Sequence, residues 1–146
     1  MFFFALLAML AGATLFGYLM KKGVENGRVR QLAAIIAVLV WLSWITAAPI
    51  YMYEYGADKA RIKAHPETVA AHGIGMEIKE HVFYTGLILA TLIPIIAYGS
   101  DVSGNDAARR LLLYSVVLLI LGGVILDGFG AWISTAAKMA YALGGG

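Results

Sequence analysis

Four long apolar runs limit this chain to a narrow set of folds. They cover residues 2–20, 32–53, 74–98 and 110–137. A helix needs about 20 apolar residues to cross a hydrocarbon core of ~30 Å, and it pairs its own backbone groups where no water is present. The sequence therefore predicts an all-α fold, an integral membrane four-helix bundle in which residues 1–146 form a single membrane domain.

The composition supports this prediction. Of the 146 residues, 61% are hydrophobic and 14% are charged, whereas a soluble domain has about a quarter charged residues. Small soluble proteins also bury the smallest fraction of their surface. The absence of cysteine excludes disulfides, thiolate metal sites and covalent haem attachment. The net charge of +2, with the basic residues in short connectors, predicts no nucleic-acid partner.

The connectors predict the orientation. The first run lacks a basic start and exceeds the apolar core of a signal peptide, so we expect it to be retained as a span. The dense basic group directly after it predicts that connectors one and three face inward and both termini outward, in a plasma or inner membrane. In the third connector, Asp106 is expected to cap the fourth helix.

Ionisable residues in or beside the apolar runs predict where any chemistry lies. At ~100° per residue, one stripe of the third run carries Glu77, Glu80, His81 and Tyr84. At a rise of ~1.5 Å per residue, His81 and Asp127 each lie roughly 25 Å from the inner boundary. Glu54 ends the second run at nearly the same level. We therefore expect a polar cluster near the outer face.

Three chemical interpretations of this cluster remain open beside a structural one, in which a hydrogen-bond network locks the helices together. The first is a haem b on His81, whose second ligand would be His65, Met52 or a residue of another chain. The second is a single metal ion held by His81, Glu77 and Glu54. The third is a quinol or proton site, since histidine and carboxylates accept protons near neutral pH.

One stretch also resembles a known family. His72 begins the sequence HGIGM, which is followed by Glu77. This stretch resembles the haem-bearing helix of membrane-anchor subunits in succinate dehydrogenase-like complexes, and the four-helix layout resembles small b-type cytochrome subunits. The resemblance covers about a dozen residues around His72–His81. In this chain no second span carries a histidine.

The sequence thus predicts an accessory integral membrane subunit of a larger redox assembly, with the bilayer and other membrane subunits as partners. It would bind or line a haem b or quinone site. The residues expected to bind the cofactor are His81, Glu77, Glu80, Tyr84, Asp127 and His72. The alternatives are a small metal-binding or proton-coupled membrane protein acting as a homo-oligomer, and a purely structural membrane subunit.

Overall fold

The chain folds into helices joined by short turns. The computed structural model describes residues 2–144, without the side chains of Phe2 and Glu54. In chain order the elements are α1 (Phe2–Leu19), α2 (Asn26–Pro49), the π-helix π1 (Ile50–Glu54), α3 (Tyr55–Ala64), the π-helix π2 (Ala71–Met76), α4 (Glu77–Gly99) and α5 (Asp106–Leu143). The predicted all-α fold is confirmed for the described residues.

Three helical stretches are long and apolar enough to cross a membrane: Asn26–Tyr53, Ala71–Gly99 and Asp106–Leu143. Phe3–Leu19 is a shorter apolar helix. Between 17% and 28% of the residues in the apolar windows of the three long stretches are buried inside the protein. Most of their apolar surface therefore faces outward, which is consistent with an integral membrane protein.

The four longest helices pack side by side. Helix α1 packs against α2 and α5, and α4 packs against the same two helices. The larger core lies where these four helices meet, and its largest fully buried side chains include Leu15, Leu19, Ile36, Ile93 and Leu112. These four helices therefore share one core in the described residues.

The segment between the second and third apolar runs is more helical than the sequence suggests. Helix α3 directly continues α2 and π1, and a turn at residues 66–68 leads towards π2. A second core holds this region together and consists of Ile62, Ala71, Met76, Ile133, Ala136 and Ala137. The Thr68 hydroxyl donates to the Ile62 carbonyl over 2.8 Å and fixes the turn. Burial of Ile62 against α5 explains why this mostly polar helix forms.

At the opposite end, the first and third connectors are tied together. The Asn26 side-chain amide donates to the Asp101 carboxylate over 2.6 Å. Asn105, and not Asp106 as predicted, caps α5. Its side chain accepts from the Ala107 and Ala108 amides, whereas Asp106 is the first helical residue. The prediction missed by one position because Asn and Asp are almost equally good caps.

Two arginines donate hydrogen bonds to backbone carbonyls at helix C-termini at this end of the unit. The Arg109 guanidinium donates to the Leu19 carbonyl, with 2.6 Å from Nε, and to the Lys21 carbonyl over 2.6 Å. The Arg30 Nε donates to the Ala97 carbonyl over 3.2 Å. Because the last carbonyls of a helix have no partner within the helix, these contacts complete the ends of α1 and α4.

Candidate functional site

The side chains predicted to share one polar stripe on the third run face two different neighbouring elements. Glu80 accepts a hydrogen bond from the Tyr51 hydroxyl of π1. His81, one residue later, lines a cavity between α4 and α5. Consecutive helical residues differ in direction by ~100°, which accounts for this divergence. Glu77 and Tyr84 are exposed.

A compact group of four side chains forms where π1 and α3 meet the first part of the stretch Ala71–Gly99. The rings of Tyr51 and Tyr55 stack with centroids 5.6 Å apart and an interplanar angle of 15°. The Tyr55 hydroxyl lies 2.9 Å from Nδ1 of His72. Together with the Tyr51–Glu80 pair, these contacts join two phenols, an imidazole and a carboxylate, which we call the tyrosine cluster (Tyr51, Tyr55, His72 and Glu80).

The electrostatic surroundings of the cluster favour neutral phenols. Burial raises the pKa of Tyr55, and the negative charges of Asp58 and Glu80 raise it further. At neutral pH the Tyr55 phenol of the cluster therefore keeps its proton.

Local chain chemistry positions these groups. Pro49 immediately precedes π1, and a proline removes one backbone donor and disturbs the regular α ladder. In π2, Gly75 permits a close approach, because a Cβ there would lie 3.0 Å from the Trp132 ring. Single π-helical turns within α-helices occur frequently at functional sites. In this chain Tyr51 lies in one π-helical turn and His72 lies in the other.

His81 has a different environment. Its Nδ1 lies 2.7 Å from the Glu77 carbonyl oxygen, and since a carbonyl can only accept, Nδ1 carries the proton in this contact. The Nε2 atom is then left with a lone pair for a ligand. The imidazole is exposed and lines a cavity of about 170 Å³, together with Val82, Thr85, Gly86, Leu89, Leu118 and Gly122.

Asp127 lies in a third environment, apart from the tyrosine cluster and from His81. It is exposed on α5 and lies within electrostatic range of Lys79. The Lys79 ammonium in turn lies 3.7 Å from the position that a Cβ would take at Gly130. Asp127 therefore lies on the Lys79 side of α4, whereas Glu80 faces the tyrosine cluster.

The predicted metal ligands are dispersed among the described residues. Within residues 2–144, no group of three histidine or carboxylate side chains is arranged to hold a metal ion. His81 contacts the Glu77 backbone and not its carboxylate. The Glu54 side chain lies outside the described part of the structure. His65 lies beside Gly144, with Nε2 3.8 Å from the Cβ position there.

Tyr51 and Tyr55 were not among the residues that the sequence predicted for the site. The available signal was their spacing of four residues, which puts both rings on one face if the helix continues past Glu54. The polar character of the segment after Glu54 obscured that continuation.

Comparison of the chain with protein-family models, with curated proteins and with solved structures finds no match. The geometry of the chain itself is therefore the basis for assigning a function.

Proposed function

We propose that this chain is an accessory integral membrane subunit of a larger electron-transfer assembly, and that its tyrosine cluster lines a quinone site. The observation that carries the proposal is the pair of hydrogen-bonded contacts, Tyr51 with Glu80 and Tyr55 with His72, at the end of the apolar stretch Asn26–Tyr53. A quinone ring placed there keeps its apolar tail in lipid and exchanges protons near water.

The cluster supplies the groups that quinol oxidation requires. A quinol loses two protons and two electrons when it becomes a quinone. The Glu80 carboxylate and the His72 imidazole can each accept a proton from a quinol hydroxyl. The phenol oxygens of Tyr51 and Tyr55 keep lone pairs with which they can accept a hydrogen bond from a quinol hydroxyl. The two electrons pass to a redox centre of a neighbouring subunit, which is why we place the chain within an assembly.

The proposal includes four membrane spans. The shorter helix α1 packs along α2 and α5, and its 18 residues correspond to about 27 Å of helix. We propose that both termini face outward. Labelling by a membrane-impermeant thiol reagent tests this orientation with two matched exposed sites. Ala57→Cys should react from outside and Ala107→Cys should not, whereas the reverse pattern would invert the topology.

Binding of a synthetic quinol tests the proposed function. Purified protein in mild detergent is titrated under reducing conditions with a decyl-substituted benzoquinol, whose hydroxyls can donate to Glu80, and the dissociation constant is measured. Glu80→Gln, which keeps the shape and removes the charge, should weaken binding roughly tenfold, because one hydrogen bond to a charged group is worth about 1.5 kcal/mol. The exposed Glu67 supplies the matched control, Glu67→Gln. Equal affinities in all three proteins would refute the proposal.

A second candidate function is haem b binding, and the geometry of His81 is the observation that supports it. The contact between Nδ1 and the Glu77 carbonyl is the arrangement that leaves Nε2 available to an iron atom. His72 is engaged with Tyr55 and His65 lies near Gly144, so a second ligand would be Met52 or a residue of another chain. A Soret band that disappears in His81→Ala would support haem binding.

A further inference from the structure

A groove separates α1 from α2 at the end where the first connector joins them. Its volume is about 500 Å³, within the range of small-molecule sites. The wall facing the apolar region is formed by Ala13, Gly17, Leu32 and Ile35, and the mouth by Lys21, Arg28 and Gln31. Thr14 and Tyr18 also line the groove, which is thus mostly apolar along its length and basic at one end.

The cations at the mouth are available to a ligand. Lys21 and Arg28 are both exposed. Arg28 uses Nε for Glu25 at 3.1 Å, which leaves its two terminal nitrogens to donate elsewhere. The same connector carries Lys22 and Arg30, so positive charge exceeds negative charge around the mouth.

The C-terminal end of α1, beside the mouth, repels an anion less strongly than a helix end with unpaired carbonyls would. The last carbonyls of a helix carry partial negative charge. In this chain the Arg109 guanidinium donates to the carbonyls of Leu19 and Lys21. The positive charge of Arg109 therefore offsets the end of α1 directly beside the groove.

We propose that this groove binds an anionic phospholipid, with its phosphate between Lys21 and Arg28 and one acyl chain along Gly17 and Ile35. The order of the lining residues matches the order of chemical groups along a lipid, from charged headgroup to apolar chain. Basic pockets between membrane helices recognise anionic headgroups in this way. At Gly17, an added Cβ would meet no atom within 4 Å, so the groove is open where the acyl chain would lie.

Native mass spectrometry of the purified full chain tests the proposal. The protein is mixed with equal amounts of phosphatidylglycerol and phosphatidylcholine, and the bound lipid is counted. We expect the wild type to retain phosphatidylglycerol preferentially. Lys21→Gln with Arg28→Gln should lower that preference roughly tenfold, since each basic residue near an anionic headgroup contributes several-fold to binding. The preference should also fall as salt concentration rises.

Two further variants distinguish lipid binding in the groove from a general effect of positive charge on the protein. Lys138→Gln with Arg110→Gln removes the same charge from exposed residues outside the groove lining and should leave the preference unchanged. Gly17→Leu keeps every charge, fills the groove and should expel the lipid. An equal loss in the charge-matched control, retention in Gly17→Leu, or displacement of the lipid by inorganic phosphate alone would each overturn the proposal.

Discussion

The two ends of the helical unit use polar side chains in different ways. At the end with the first and third connectors, arginines and Asn105 are bonded to backbone groups that helix termini leave unpaired. At the other end, Tyr51, Tyr55, His72 and Glu80 are bonded to one another. Side chains that hydrogen-bond to unpaired backbone groups stabilise the fold. Titratable side chains that are bonded to one another keep further lone pairs with which they can bind a ligand. We therefore expect the first end to contribute mainly to stability, and the proposed function places the chemistry at the other end.

Removing a helix-end contact at the first end should have the largest effect on stability. Arg109→Met keeps much of the side-chain volume and removes the donors to the Leu19 and Lys21 carbonyls. We expect the free energy of unfolding to fall by about 2 kcal/mol, because hydrogen bonds from a charged group are lost and half-buried carbonyls remain unpaired. Thermal unfolding in detergent measures the loss. The neighbouring exposed residue gives the control, Arg110→Met, which should unfold like the wild type.

Acid should weaken the same end through Asp101. Hydrogen bonds from Ser103, Asn26 and Gly104 lower the pKa of this carboxyl group to about 2. A lowered pKa in the folded state means that Asp101 stabilises the protein above its unfolded pKa of about 4. That contribution is lost as the pH falls towards 2. Between pH 5 and pH 2, the melting temperature of Asp101→Asn should therefore fall less than that of the wild type, and an equal fall in both would contradict the assignment.

His81 should contribute least to stability. Its imidazole is exposed, and its one described hydrogen bond is to the carbonyl of its own helix. We expect His81→Ala to change the free energy of unfolding by less than about 0.5 kcal/mol. A larger loss, measured by thermal unfolding against Thr85→Ala as the comparison, would show that His81 helps to hold α4 and α5 together.

The sequence predicted the apolar helices well because lipid imposes a length and a composition on each of them. Residues 32–53 and 74–98 lie within the stretches Asn26–Tyr53 and Ala71–Gly99. The continuation into α3 was missed because that helix is stabilised by burial of Ile62 against Ala136 and Ala137. Such a contact joins residues far apart in the chain, and no local pattern reports it.

The candidate site was predicted in part for a related reason. Helical spacing predicted that Glu77, Glu80, His81 and Tyr84 share one stripe of the third run. It did not show that Glu80 faces Tyr51 while His81 lines the cavity beside α5. Those neighbours depend on how α4 is rotated against α2 and α5, and on the π-helical turns, which change the register of the residues that follow them.

The most direct test of the division between the two ends is the amount of native quinone that stays with the purified protein in two variants. Arg109→Met should lower the melting temperature and retain quinone at the wild-type ratio per chain. Glu80→Gln should keep the melting temperature within about 2 °C and lose most of the quinone. A Glu80→Gln protein that retains quinone but unfolds at a clearly lower temperature would show that the tyrosine cluster is a structural lock.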